Sequence, residues 1–147
     1  MTETNHKNIV VKYSGEYEPE YKTEGASGFD LHASSGLWCH PKKTVIVKTG
    51  LIVELPNGYE LQVRARSGFT VKRDIIVKNG IGTIDSDYRG EIGVILYNLG
   101  KRSVYIEKGE RIAQGVIMPI IKATFKKVKE VKTTKRGSKG YGSTGNR

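Results

Sequence analysis

Cysteine is nearly missing from this chain. Cys39 is the single one in 147 residues, so no disulfide can close within it. That composition fits a reducing compartment: the cytoplasm, or the nucleus or host-cell interior for a eukaryotic or viral source. Histidine is also scarce, and His6, His32 and His40 lack metal-ligand spacing. No apolar run approaches the roughly 18 residues that a membrane span needs, so no membrane association is expected. Residues 1–7 are polar, with no apolar stretch of the kind a signal peptide carries. Aromatics are few, at 8%, yet 37% of the residues are hydrophobic and 27% charged, which excludes wholesale disorder. The length is that of one domain with a real core.

Acidic residues are scarce at one end. From Lys122 onward there are nine basic residues and one acid, Glu130. That segment supplies +8 of the net +10, while the first 121 residues carry 16 basic and 14 acidic side chains. The body is therefore nearly neutral. A lysine-rich tail reads first as a solvated segment. Nucleic-acid binding by the tail stays open as a secondary role that is not expected.

Helical periodicity is missing too, except that residues 67–72 suit a short helical turn. The dominant period is two, in short β-branched runs. Strands are predicted at 8–13, at 44–55 as one or two around Thr49–Gly50, and at 59–65, 75–78, 80–84, 91–98, 103–106, 111–118 and 123–131. Pro56–Asn57–Gly58, Asn79–Gly80, Asp87–Gly90 and Leu99–Gly100 punctuate them. Many short, evenly spaced strands give an all-β domain, a jelly-roll-like sandwich or barrel, over residues 1–132. Residues 133–147, rich in Gly, Ser, Thr and Lys, read as a flexible C-terminal arm.

Five segments carry groups suited to chemistry, and each taken alone also reads as ordinary structure. Ala26–Ser27–Gly28–Phe29–Asp30–Leu31 places a glycine beside Asp30, a hard oxygen ligand suited to Mg²⁺ or to a water on it. Arg64–Ala65–Arg66–Ser67–Gly68 joins guanidinium, hydroxyl and backbone N–H groups before a helical turn, a phosphate cradle. Residues 79–90, Asn-Gly-Ile-Gly-Thr-Ile-Asp-Ser-Asp-Tyr-Arg-Gly, look like a hairpin with an acidic, aromatic tip. Its glycines leave main-chain groups open to a flat ligand, Asp85 can orient or deprotonate a water, and Tyr88 offers a ring face to a sugar. Its Asp-x-Asp lacks the later ligands of a calcium loop. Within Gly109–Glu110–Arg111–Ile112–Ala113–Gln114, Gln114 is either a satisfied core amide or a ligand contact. Residues 136–145, Arg-Gly-Ser-Lys-Gly-Tyr-Gly-Ser-Thr-Gly, are not a Walker A loop. They read as a low-complexity tail or as an arm that orders over a ligand. Cys39, between Trp38 and His40, reads as a packing residue rather than a nucleophile.

Together and in this order, these segments resemble the five motifs of the trimeric dUTPase family, from about Ala26 to Gly145. The resemblance implies a β jelly roll and a homotrimer with shared active sites. It also implies Mg²⁺-assisted hydrolysis of dUTP to dUMP and pyrophosphate. Asp85 then takes the part of the catalytic aspartate, and Tyr88 packs under the deoxyribose. Asn79 and the main chain of Gly82, Thr83 and Ile84 pair with uracil, and Gly93 lets the returning strand approach the base. Arg66, Ser67, Gly68 and Gln114 contact the triphosphate. In the arm, Arg136, Gly142, Ser143 and Thr144 lie on the terminal phosphates and Tyr141 covers the uracil. Asp30 holds Mg²⁺ through water.

The chain departs from the family pattern at four places. Tyr141 stands where Phe is usual, Lys139 where Gly is common, Ala65 where Pro is frequent, and Gly115 where Leu is frequent. None removes a reactive group. A dCTP deaminase of the same fold is disfavoured, because its catalytic Glu falls at Ile95, which moves no proton. A binding protein on this scaffold is disfavoured by the intact Asp85, Arg66 and Arg136.

Overall fold

Alternation along the strands divides the chain into an inside and an outside. In β2 (Phe29–His32), Phe29 and Leu31 are buried while Asp30 and His32 face the other way. β6 (Tyr59–Arg64) buries Leu61 and Val63, and β9 (Gly93–Asn98) buries Val94, Leu96 and Asn98. Two sheets follow from this. In the computed structural model, which describes residues 8–145, one sheet has the order β2-β11-β6-β8 and the other β4-β9-β7. Here β4 is Thr44–Lys48, β7 is Ile75–Val77, β8 is Gly82–Ile84 and β11 is Arg111–Pro119. Two ribbons complete the shell: β1 (Lys12–Ser14) with β5 (Ile52–Glu54), and β3 (Leu37–Cys39) with β10 (Val104–Ile106). Every pairing among the described residues is antiparallel. This is the predicted all-β, jelly-roll-like sandwich. Residues 1–7, with their missing leader pattern and His6, and the last two residues of the arm lie outside the described residues.

Leu31, Leu61, Ile75, Ile92, Leu96, Ile106 and Ile112 fill the space between the sheets, each less than 2% exposed. Burying one such side chain contributes about 1.5–3 kcal/mol. Cys39 lies fully inside, and burial pushes its thiol pKa up, as befits a packing residue.

The short helical turn is a helix, α1 (Ser67–Arg73), anchored by buried Phe69. It stops where Asp74 turns left-handed (φ 54°) and its N–H donates to the Thr70 carbonyl at 3.0 Å. Residues 44–55 form two strands, broken at Thr49–Gly50 as the sequence signalled. Three expectations need correction. The strand expected at 8–13 forms only from Lys12 to Ser14. No strand forms at 123–131, where all nine residues are exposed and no edge is offered to them. Residues 79–90 do not form a hairpin about their acidic, aromatic tip: β8 pairs with β6, and β9 with β4 and β7, so Asn79–Gly80 is a corner between the two sheets.

Candidate functional site

Three of the five segments converge on neighbouring strands. Gln114, in β11, lies opposite Asp30 on one side and Arg64 on the other. Its Nε2 donates to the Ala65 carbonyl at 2.9 Å. Gly28 makes this approach feasible, because a Cβ there would lie 2.7 Å from Gln114 Oε1. Beyond β6 the chain runs extended through Arg66 (φ −100°, ψ 129°) into α1, with no side chain capping the helix and no acid in its first turn. The first N–H groups there, including those of the exposed Ser67 and Gly68, have no intrahelical partner and are open to an anion.

Asp30 orients the cation of this site. Its Oδ1 lies 2.9 Å from Arg66 Nε, and its Oδ2 lies 3.5 Å from Arg111 Nη1. Arg66 Nη1 also donates to the Arg111 carbonyl at 3.1 Å. Arg111 was not singled out from the sequence. A register shift between Arg111 and Ala113 turns it toward Asp30, and nothing in the residue pattern announces that bulge. Beside this group is a small cleft of about 220 Å³, lined by Glu16, Tyr17, Glu18, Glu20, Lys22, Asp30 and His32. His32 stacks on Tyr17 with ring centroids 4.7 Å apart, and burial is the main force holding its pKa below the ordinary value.

The third segment stands elsewhere. Gly80 (φ 74°) and exposed Asn79 form the corner, and Gly82 presses on Val63, where a Cβ would lie 3.0 Å away. Thr83 and Ile84 continue into exposed Asp85. Tyr88 closes a turn with its N–H on the Asp85 carbonyl at 3.1 Å, and its hydroxyl donates to the Glu91 carbonyl at 3.2 Å. Its ring lies so close over Gly90 that any side chain there would collide with it. Gly93, on β9, faces Ile46, whose Cγ2 would be 2.8 Å from a Cβ. Ile95 lies opposite Ile46 in the same ladder.

Strand register measures the separation. Leu61 faces Ile84, so the ladder extended by one residue brings Asp85 to the level of Glu60, which faces Met118. Arg64 faces Gln114 four residues further along β6. That is about 13 Å along the strands, with two strand spacings, about 10 Å, across the sheet. A single chain therefore does not bring Asp85 to Arg66 and Gln114.

The arm stands apart as well. Arg136 Nε donates to the Lys139 carbonyl at 3.0 Å, Ser143 N–H to Gly140 at 3.2 Å, and Gly145 N–H to Gly142 at 2.9 Å. These turns bond only within the arm. Thr144 is exposed, and Tyr141, with φ 51°, projects wholly into solvent. Among the described residues no group of three or more His, Cys, Asp or Glu side chains could hold a metal ion. With both oxygens turned to guanidinium groups, Asp30 suits a contact through water better than direct ligation.

A family model described as dUTPase matches residues 17–145. The deoxyuridine 5'-triphosphate nucleotidohydrolase of Helicobacter pylori (strain Shi470) is 49% identical over 140 residues, covering 95% of this chain and 92% of that protein. The enzyme of the same name from Hydrogenobaculum sp. (strain Y04AAS1) is 52% identical over 128 residues, covering 86% and 89%. Among solved structures, the dUTPase of Staphylococcus bacteriophage 80alpha with dUpNHpp superposes with a TM-score of 0.84 at 29% identity, covering 94% of this chain and 99% of that one. A family match over most of the length, with relatives near half identical, establishes that this chain belongs to the dUTPase family.

Proposed function

We propose that the protein hydrolyses dUTP to dUMP and pyrophosphate, supplying dUMP for thymidylate synthesis and keeping uracil out of DNA. The observation that carries this reading is the meeting of Asp30, Arg66 and Gln114 beside an uncapped helix start, in a chain of this family. A triphosphate repels an incoming water by its charge. Arg66, Ser67, Gly68 and Gln114 bind and orient it, with Asp30 and Arg111 fixing the Arg66 guanidinium. Asp85 takes the proton of the water that attacks the α-phosphorus in line. The main chain at Gly82, Thr83 and Ile84, with Asn79, reads the uracil edge, and Tyr88 packs under the sugar. Gly93 lets its strand come close to the base. Arg136, Gly142, Ser143 and Thr144 close on the terminal phosphates while Tyr141 covers the base. When bound, Mg²⁺ would neutralise charge on the triphosphate, and Asp30 is the residue that would hold it, through water.

The active unit in this reading is the homotrimer that the family resemblance implies, and the separation of Asp85 from the phosphate contacts within one chain fits a site shared between subunits. Exposed Ile46, Ile121, Phe125 and Val131 supply apolar surface for neighbours to cover. Pyrophosphate release with Mg²⁺ from dUTP, dTTP, dCTP and UTP at equal concentration tests the function. Strong preference for dUTP is expected. Equal release from all four, or ammonia release from dCTP, would overturn it.

A further inference from the structure

One face of the molecule takes no part in this chemistry. In the β3–β10 ribbon, Leu37, Cys39, Val104 and Ile106 turn inward, so the alternate residues Trp38, His40, Ser103 and Tyr105 turn outward. Trp38 is 54% exposed and Tyr105 43%. Their rings meet across the strands at 5.2 Å, and the His40 ring stacks parallel to Trp38 at 6.2 Å. His40 Nδ1 is 2.8 Å from Ser103 Oγ, which fixes the imidazole in the row. An aromatic row held open to water, away from any core, is a surface built for a flat partner.

Cations border this row. Buried Asn98 ties two loops together: its Nδ2 donates to the Cys39 carbonyl at 2.9 Å and the Arg102 carbonyl at 2.8 Å, and its Oδ1 accepts from Gly100 N–H at 2.8 Å. Lys42 N–H donates to the Asn98 carbonyl, and Lys42 Nζ to that of Leu99. The paired loops thus set Lys42, Lys43, Lys101 and Arg102 at one end of the aromatic row. Residues 40–43 and 99–103 contain no acid. Asp74 packs against Gly100, one acid beside four basic side chains, which gives the border a positive excess.

We propose that this face is a docking site for single-stranded nucleic acid, with bases stacking on Trp38 and Tyr105 and phosphates running over Lys42, Lys43, Lys101 and Arg102. Aromatic faces beside a cationic track are what a flexible polyanion with planar bases requires. Duplex DNA hides its base faces and fits this surface poorly. The site shares no residue with the lysine-rich tail or with the groups assigned to dUTP, so it operates whether or not the chain hydrolyses dUTP.

Trp38 is the chain's one tryptophan, so its emission reports on this face directly. The full chain is titrated with an oligothymidylate of about twenty nucleotides, longer than the footprint of one small binding domain. Saturable quenching that weakens with salt is expected. With a labelled oligonucleotide read by anisotropy, Trp38→Ala or Tyr105→Ala lowers affinity about 5- to 150-fold, the loss of one stacking contact. Lys101→Ser with Arg102→Ser flattens the salt dependence. Replacing Lys126, Lys127 and Lys129 with serine leaves the quenching in place, and circular dichroism confirms that each variant is folded. Binding without quenching, or quenching abolished by the tail variant, would overturn the proposal. So would displacement by a non-hydrolysable dUTP analogue, or equal quenching by a duplex. A concentration-dependent change of Trp38 emission in the protein alone would assign the face to a second copy instead.

Discussion

Gly115 stands on β11 where a larger residue is frequent, and it packs directly against Phe29 across the ladder. A Cβ at Gly115 would lie 2.7 Å from the Phe29 ring. Gly115→Ala is therefore expected to cost about 1–3 kcal/mol by overpacking. Adding Phe29→Leu should recover part of that in urea denaturation, because the smaller side chain vacates the contact. An additive double variant would show that the ring is not the obstacle. His32 is a second local case. Burial chiefly lowers its pKa; Asp30 opposes this, while Arg111, Lys22 and Arg66 add to it. The unfolded chain then takes up the proton first. The stability linked to neutral His32 is full above its ordinary value of 6.5 and is lost as pH falls from there through the lowered value. His32→Phe keeps a ring against Tyr17 but does not titrate. Its stability should decline less than that of the parent as pH drops below about 6.5. Parallel curves would remove His32 from the pH dependence.

Strands were legible wherever a segment carries its own alternation and finds its partner within the chain. Leu61 and Val63 in β6, and Val94 and Leu96 in β9, are examples. Residues 123–131 have the same propensity but no ladder partner in one chain, so the pattern alone misplaced them. β3, Leu-Trp-Cys, is apolar at every position although Trp38 faces solvent, so it shows no alternation to read. Arg111 reaches Asp30 only through the β11 bulge, and bulges leave no composition signature. The reactive groups were legible as types because Asp, Arg, Gln and Tyr announce their chemistry; their grouping depends on register. The arm is an element whose part can be tested alone. It bonds only to itself, so cutting the chain before Arg136 removes no packing from the core. The truncated protein should unfold at the parent's temperature, yet lose most of its kcat/KM for dUTP, because the contacts proposed for Arg136 and Tyr141 go with the arm. Unchanged kcat/KM would show that the arm is dispensable.

At the scale of the whole molecule, the separation of Asp85 from Arg66 makes the strongest demand. If both groups act on one dUTP, they come from different copies of the chain. Asp85→Asn alone should lower turnover by about 10²–10⁴ while retaining dUTP binding, since in the proposed mechanism it removes the general base and leaves the phosphate contacts. Arg66→Ala alone should weaken binding as well as turnover. Each uniform assembly then lacks one group at every site. Mixed assemblies differ, because a site can draw an intact Arg66 from one subunit and an intact Asp85 from its neighbour. Equal amounts of the two variants, unfolded together and refolded, should regain up to about a quarter of parental activity, the share of fully intact sites in a random mixture. Mixing without subunit exchange should restore none. If co-refolded mixtures stay as inactive as the separate variants, both groups serve within one chain, and the ladder from Leu61 to Glu60 does not set the distance between them.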